Sequence, residues 1–408
     1  MKLRKISSLL AVAVLAASAC GSATSTPPAD ALGVVTIPKG EKLTVGFWGV
    51  ISGADASLGV DVRNGLMIAI DDKGGKLLGR DIRVVEQDGL CTPEGGATAA
   101  QKLAADKSIV GLIGSSCSDE TVGGIKTLTD AGMTTISASN TRPALTDAKR
   151  DATYAGFLRT AHSDAFQGKA VAEFVFNQLK LKTAGTLHDG SAYAEALVGV
   201  FKAEFGKLGG KVAVAEAIAK KDVNMKTALG KIAAGKPEVL YAPIFTAEGG
   251  FVIAQSKDVA GLEKTVLIGS DGMFSADLIK AAGPAAKGMY LSSPNFSAFQ
   301  SGYADFVTKH EKKFGTKPIQ AFHAHGYDAA GILFAAIEKV AITSGDNIYI
   351  GRKALRDAIY ATKDYKGLTG VLTCGQYGDC GAPLIAVYQI TDREIGGKWP
   401  PEAPVWPK

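Results

Sequence analysis

Side-chain hydroxyls gather at two points of this 408-residue chain. Ser115, Ser116 and Ser118 follow the apolar run Ile109–Ile113, and Ser137, Ser139 and Thr141 follow Thr134–Ile136. In each case a short β-branched strand gives way to a turn. Asp119 and Glu120 then open a helix expected to run to about Ala131. Free backbone N–H groups at a helix N-terminus, with hydroxyls beside them, make a seat for a carboxylate. One serine so placed is as readily an ordinary helix cap. Two such turns in tandem, at the carboxyl ends of neighbouring parallel strands, stand where open α/β sheets bind ligands.

The other chemistry-bearing residues do not assemble into an active site. The sequence has no G-x-S-x-G nucleophile elbow, no phosphate loop, no H-E-x-x-H pair and no G-x-G-x-x-G after a strand. Of the five histidines, His323 and His325 are two apart, a spacing that points them to different faces of a helix. His162 falls at a predicted passage between lobes, where it either lines a cleft or is a plain hinge residue. No catalytic residue, metal ion or cofactor is expected.

These turns need a scaffold. From Leu43–Val50 to Gly288–Ser292, short apolar runs alternate with amphipathic segments such as Val60–Asp72, Glu94–Ala105, Asp164–Leu179 and Tyr193–Leu208. Such alternation predicts parallel sheets covered by helices. There are too many strands for one sheet, so the fold class is α/β with two Rossmann-like lobes. Further helices are expected at Ser301–Phe314, Ala324–Val340 and Arg352–Ala361, and strand character returns over Gly367–Ile390. The final WPPEAPVWPK holds four prolines and is read as a surface strap or tail.

The chain start is read as processing signal. Lys2, Arg4 and Lys5 precede the apolar stretch Leu9–Ala17, and small residues lead into Cys20. This predicts a signal peptide over residues 1–19 and a lipidated Cys20, although Ala17 stands where a lipoprotein box usually has leucine. Residues 20–40, rich in Ser, Thr, Pro and Ala, read as a flexible tether. The formal net charge is +5, with three of those charges in the signal segment. No Lys/Arg run stands out, so nucleic acid is not an expected partner. Four cysteines follow Cys20, an even number that in an exported chain suggests two disulfides. The short gap between Cys374 and Cys380 suits a local loop, which leaves Cys91 to pair with Cys117.

The ordered segments GVISGADASLG (49–59), IDDKGGKLLGRDIRVV (70–85), LIGSSCS (112–118), ISASNTRPALT (136–146), LHDGSAYAEAL (187–197), IGSDG (268–272) and GLTGVLTCGQYGD (367–379) resemble the leucine/isoleucine/valine-binding family. The resemblance covers roughly Leu43 to Ile390. It implies a type I periplasmic-binding fold, two lobes joined by a three-strand hinge, and a disulfide at the place of Cys91–Cys117. It divides the chain into lobe 1 at residues 41–160 and 294–367, lobe 2 at 161–293 and 368–395, and a tail at 396–408.

By the same resemblance, Ser118 and Thr141 grip an amino acid's carboxylate and ammonium, and Ser139 stands where a main-chain carbonyl is used. Tyr193 and Phe245 are aromatic contacts from the second lobe. Asp271 pairs with the ammonium where Glu is usual; read without the family, it merely caps the helix near Ser275. Leu58 replaces a frequent aromatic, Trp48 reads as core or ligand wall, and Phe322 and Tyr327 either close the pocket or pack in the core. The implied protein is a monomeric, exported, membrane-tethered or periplasmic receptor that hands an amino acid to an ABC permease. An amide, urea or other small polar solute, or a sensory role, is the alternative.

Overall fold

The structure is a computed structural model that describes residues 29–407. The expected signal peptide and Cys20 lie outside the described residues.

Strands Leu43–Gly49 and Ile109–Ile113 are buried at every position, as central strands of a sheet covered on both faces must be. They form the middle of a six-stranded sheet. Its order is Lys76–Leu77, Arg80–Asp88, Leu43–Gly49, Ile109–Ile113, Thr135–Ser137 and Phe157–Arg159, parallel except at the first strand. A second six-stranded sheet has the order Ile385–Gln389, Tyr290–Pro294, Val266–Gly269, Val239–Tyr241, Thr183–His188 and Lys211–Ala217. Only Ile385–Gln389 runs antiparallel to its neighbour. Each sheet is the core of one lobe. Helices Ala56–Asp72 and His323–Val340 cover the first side by side. A methyl at Gly65 would overlap the His323 carbonyl, and one at Gly326 the Val62 carbonyl, so glycine is what lets these two helices touch.

Three segments of the described chain cross between the lobes: residues 160–163, 295–302 and 381–384. They are bound to one another and to both sheets. Thr160 N–H donates to the Ser137 carbonyl at 2.8 Å, Asn295 N–H to Leu384 at 2.9 Å, and Gln300 N–H to Leu368 at 2.8 Å.

Three expectations about chain organisation change. Within the tether expected over 20–40, Val34–Ile37 is a strand, antiparallel to Asn347–Gly351, with Val35 and Ile37 buried. Asp30 caps helix Arg352–Tyr360 by accepting the N–H groups of Lys353 (2.9 Å) and Ala354 (3.0 Å). The β-branched VVTI thus outweighs its polar surroundings once a partner strand is supplied. Second, residues 368–380 stay with lobe 1 instead of passing to lobe 2. Hairpin Tyr365–Gly367/Gly370–Leu372 is held by buried Asp328, which accepts from Leu368 N–H (2.7 Å) and Thr369 N–H (2.9 Å). Third, the helix expected over Asp164–Leu179 is α-helical only to Glu173, and a π turn follows at Phe174–Gln178.

The proline-rich end is a strap on lobe 2. Val405 N–H donates to the Val387 carbonyl and Val387 N–H to Trp406, both at 2.8 Å, which covers the outer edge of strand Ile385–Gln389. Trp399 packs on Phe274 and Trp406 on Phe174, with ring centroids 4.9 and 6.1 Å apart. Deleting residues 399–408 should lower unfolding stability by about 2–4 kcal/mol, because two indoles lose their burial and a sheet edge is bared. Urea unfolding of lobe 2, followed through its tyrosines, would register the loss.

Candidate functional site

Cys91–Cys117 ties the loop after strand Arg80–Asp88 to the first hydroxyl turn, and helix Ser118–Asp130 begins at its next residue. Glu120 organises this turn from inside. Fully buried, it accepts the N–H groups of Cys91 (2.9 Å), Ser116 (2.9 Å) and Cys117 (3.0 Å). Burial pushes its carboxyl up to about 7 against the pull of these donors. The helix N-terminus therefore offers fewer free N–H groups than the sequence suggests. An anion arriving here meets Ser118 and its hydroxyl, since two neighbouring amides are already taken.

The second turn is pinned by Arg159, which is wholly buried at the end of its strand. Its guanidinium donates to the carbonyls of Asn140 (3.1 Å) and Arg142 (2.8 Å), on either side of Thr141, and to Asp379 (2.5 Å). Asp379 precedes Cys380, so the Cys374–Cys380 disulfide closes the loop that carries Arg159's counter-charge. Ser139 Oγ donates to the Ser116 carbonyl at 2.8 Å and joins the two turns. Thr141 is buried, with its hydroxyl turned to the Asp164 carboxylate.

Lobe 2 faces these turns with an acid and two aromatic rings. Asp271 accepts from Tyr193 OH at 2.6 Å and from Gln167 Nε2 at 2.9 Å. Tyr193 OH also meets Ser270 Oγ at 2.6 Å, and its ring lies 5.2 Å from that of Phe245. Burial, then the nearby acids, hold Tyr193 neutral far above its ordinary value. Helix Ala276–Ala282 is capped by Ser275, whose Oγ accepts Leu278 N–H at 3.1 Å. Asp271 is thus not needed as a cap.

The lobes meet. Asp119 of lobe 1 accepts Ala192 N–H at 3.1 Å, at the start of helix Ala192–Lys207 in lobe 2, and lies 3.7 Å from Lys220. Asp55 likewise accepts Ala247 N–H at 3.1 Å, at the start of helix Thr246–Ser256. Each acid sits on the positive end of a helix across the cleft. Gln320 Nε2 donates to the Asp271 carbonyl at 2.8 Å, a third tie. Between these ties lies a small cavity lined by Leu58, Ser116, Cys117, Ser118, Ser139, Tyr193, Phe245, Asp271, Gly272 and Phe322. Together with the solvent at its mouth, its empty volume is about 220 Å³.

Five of the six residues singled out from the sequence, Ser118, Ser139, Tyr193, Phe245 and Asp271, therefore surround one cavity. Thr141 lies just behind it: its carbonyl accepts Asp164 N–H at 2.8 Å. Leu58 and Phe322 line the cavity, whereas Tyr327 bonds to Asp72 on the surface of lobe 1. Trp48 is core, donating to Thr135 Oγ1 at 3.1 Å. His162 is buried and bonds Gln167 at 2.7 Å. Sequence reasoning passed over Glu120, Arg159, Asp164, Gln167 and Gln320, whose local contexts are those of ordinary helix starts, strand ends and loops. Among the described residues, no cluster of His, Cys, Asp and Glu is arranged to hold a metal ion.

Residues 42–391 match the family described as periplasmic binding protein. The chain is 26% identical over 359 residues to Leu/Ile/Val-binding protein homolog 3 of Brucella melitensis, an alignment that spans 87% of this chain and 93% of that protein. Two solved structures share the fold. One is the branched-chain amino acid transporter substrate binding protein of Streptococcus pneumoniae in complex with isoleucine. It has a TM-score of 0.74 at 20% identity, covering 86% of this chain and 97% of that one. The other is an ABC transporter solute binding protein of R. palustris in complex with benzoate, with a TM-score of 0.74 at 24% identity, covering 89% and 96%.

Proposed function

Because the chain belongs to the periplasmic binding protein family, whose members bind solutes outside the cytoplasm and are not enzymes, we propose that it captures an α-amino acid with an apolar side chain and delivers it to an ABC permease. The observation that carries this reading is the placement of Asp271 and Tyr193 of lobe 2 opposite Ser118 and Ser139 of lobe 1, around one cavity. A zwitterion needs an anion seat and a fixed carboxylate at once. Here Ser118, Ser139 and Thr141 supply the seat, and Asp271 takes the ammonium. Leu58, Phe245 and Phe322 are the apolar walls for the side chain. Both charges are satisfied only when the lobes are together, so ligand favours the closed state through contacts that the open one lacks. Cys20 is the lipid anchor in this proposal, and the receptor works as a monomer.

A small polar solute without a charged amine is the second reading. It is favoured by Asp271 already accepting two hydrogen bonds, and by the benzoate bound in one structure of the same fold.

The test is a thermal-shift screen of residues 21–408 against the common L-amino acids, amides, urea and aromatic acids. A ligand at 100 times its dissociation constant adds about 2.7 kcal/mol to stability, a readily measured shift. Apolar L-amino acids are expected to stabilise the protein. A shift from amides or aromatic acids alone would replace the first reading with the second.

A further inference from the structure

Asp55 stands at the N-cap position of helix Ala56–Asp72, where an aspartate ordinarily accepts an N–H of its own helix. Its carboxylate makes no such bond and instead accepts Ala247 N–H of the opposite lobe at 3.1 Å. Ala247 is the second residue of helix Thr246–Ser256, and the N-cap residue of that helix is Phe245, whose side chain cannot accept a hydrogen bond. The N–H groups of a first helical turn have no partner within their own helix. The cap of this lobe-2 helix is therefore a residue of lobe 1.

A second pair repeats the arrangement. Asp119 lies in the first turn of helix Ser118–Asp130 and accepts the N–H of Ala192, the first residue of helix Ala192–Lys207, at 3.1 Å. Ser191, the cap of that helix, takes Ala194 N–H and leaves Ala192 to Asp119. Each acid is thus flanked by two positive helix ends, its own and the opposite one, only while the lobes are together. Lys220 works in the other direction: from lobe 2 its ammonium donates to the Cys91 carbonyl of lobe 1 at 2.9 Å and lies 3.7 Å from Asp119. None of the three lines the cavity at Asp271, whereas Asp55, Lys220 and Ala247 line a second, larger hollow between the lobes.

We propose that Asp55, Asp119 and Lys220 form a latch that caps two lobe-2 helices from across the cleft and holds the lobes together through contacts that no bound solute makes. The inference requires only that the lobes close, and it stands under either reading of the solute. Part of the free energy of closure then comes from the protein itself and is common to every solute. The latch sets how tightly solutes bind, and the cavity residues set which ones. Parting of the lobes breaks all the ties at once, so a change at one tie is felt at the other.

The test is amide hydrogen exchange of the wild-type protein with no solute added, read at Ala192 and Ala247. Both amides should be protected, because each loses its acceptor only when the lobes part. Asp55→Ala should lower protection about threefold to tenfold at Ala247, which it touches, and by a similar factor at Ala192, which Asp119 holds. Asp55→Asn, whose side-chain oxygen still accepts an N–H, should restore most of the protection at both. Lys220→Met reaches the same ties from a partly exposed side chain: it keeps the stem beside the Phe245 ring, removes the ammonium, and should lower protection at Ala247 as well. A loss confined to Ala247 in Asp55→Ala would make Asp55 a local cap and overturn the latch. Exchange of both wild-type amides at the unprotected rate, or unchanged protection at Ala247 in Lys220→Met, would overturn it too.

Discussion

Asp271→Ala is expected to weaken binding of an α-amino acid by about a hundredfold or more, with little change in the stability of the free protein. The asymmetry follows from what each partner keeps. Tyr193 OH still has Ser270 Oγ at 2.6 Å, and Gln167 Nε2 still has Ser292 Oγ at 2.9 Å. No protein group is left stranded. The ligand's ammonium, in contrast, would be closed into the cavity with its main counter-charge removed, a loss of roughly 3 kcal/mol or more. Calorimetric titration beside a urea denaturation curve separates the two effects. If the alanine variant binds as tightly as the wild type, the ammonium does not sit at Asp271. Asp271→Asn sharpens the comparison, since a neutral solute should tolerate the amide and a zwitterion should not.

The largest effect on stability is expected at Asp61, which touches no ligand. It is 0% exposed on the inner face of helix Ala56–Asp72. Its carboxylate accepts the N–H groups of Ile319 (3.0 Å), Gln320 (3.1 Å), Phe322 (3.0 Å) and His323 (2.7 Å). It also meets His323 Nδ1 at 3.0 Å, and His323 Nε2 in turn meets Tyr303 OH at 2.8 Å. Asp61→Ala leaves these donors buried and unpaired, and about 3–5 kcal/mol of stability should be lost. Ligand affinity should fall as well. The segment that Asp61 holds presents Gln320 to the Asp271 carbonyl and Phe322 to the cavity.

The same carboxylate gives a pH dependence of definite sign. Burial by itself would raise it, but the His323 ring and the Gln320 N–H more than offset this and hold it below its ordinary value of 3.8. The unfolded chain therefore takes up this proton first as pH falls. The stabilisation is present above about pH 4 and is lost below it, toward the depressed value. Urea midpoints at pH 5 and pH 3 should lie closer together in Asp61→Ala than in the wild type. Equal pH sensitivity in the two proteins would show that Asp61 carries no such linkage.

Much of this was legible in the residues themselves. A strand such as Ile109–Ile113 and a helix such as Glu94–Ala105, which begins at Pro93 in the structure, are written in runs of five to thirteen residues. Their apolar spacing and flanking turn residues are local. The turn hydroxyls and cysteines were visible for the same reason: a tight turn after a parallel strand restricts what can stand there, and Cys91–Cys117 and Cys374–Cys380 both join. Tyr193, Phe245 and Asp271 were reached through family resemblance, not through local pattern.

Tertiary structure decided what depends on partners far along the chain. Val34–Ile37 becomes a strand only because Asn347–Gly351 arrives beside it. Asp61 and Arg159 have the look of ordinary charged residues near a helix start and at a strand end. Their burial is set by the segments folded onto them, residues 319–323 for one and the disulfide loop with Asp379 for the other. Asp164 and Gln167 read as a polar first helical turn, yet a crossing between lobes turns that helix face toward Asp271. Side-chain periodicity reports which way a residue points on its own element. Whether that direction leads to water or to a second lobe is settled by sheet order and crossover, which are properties of the whole chain.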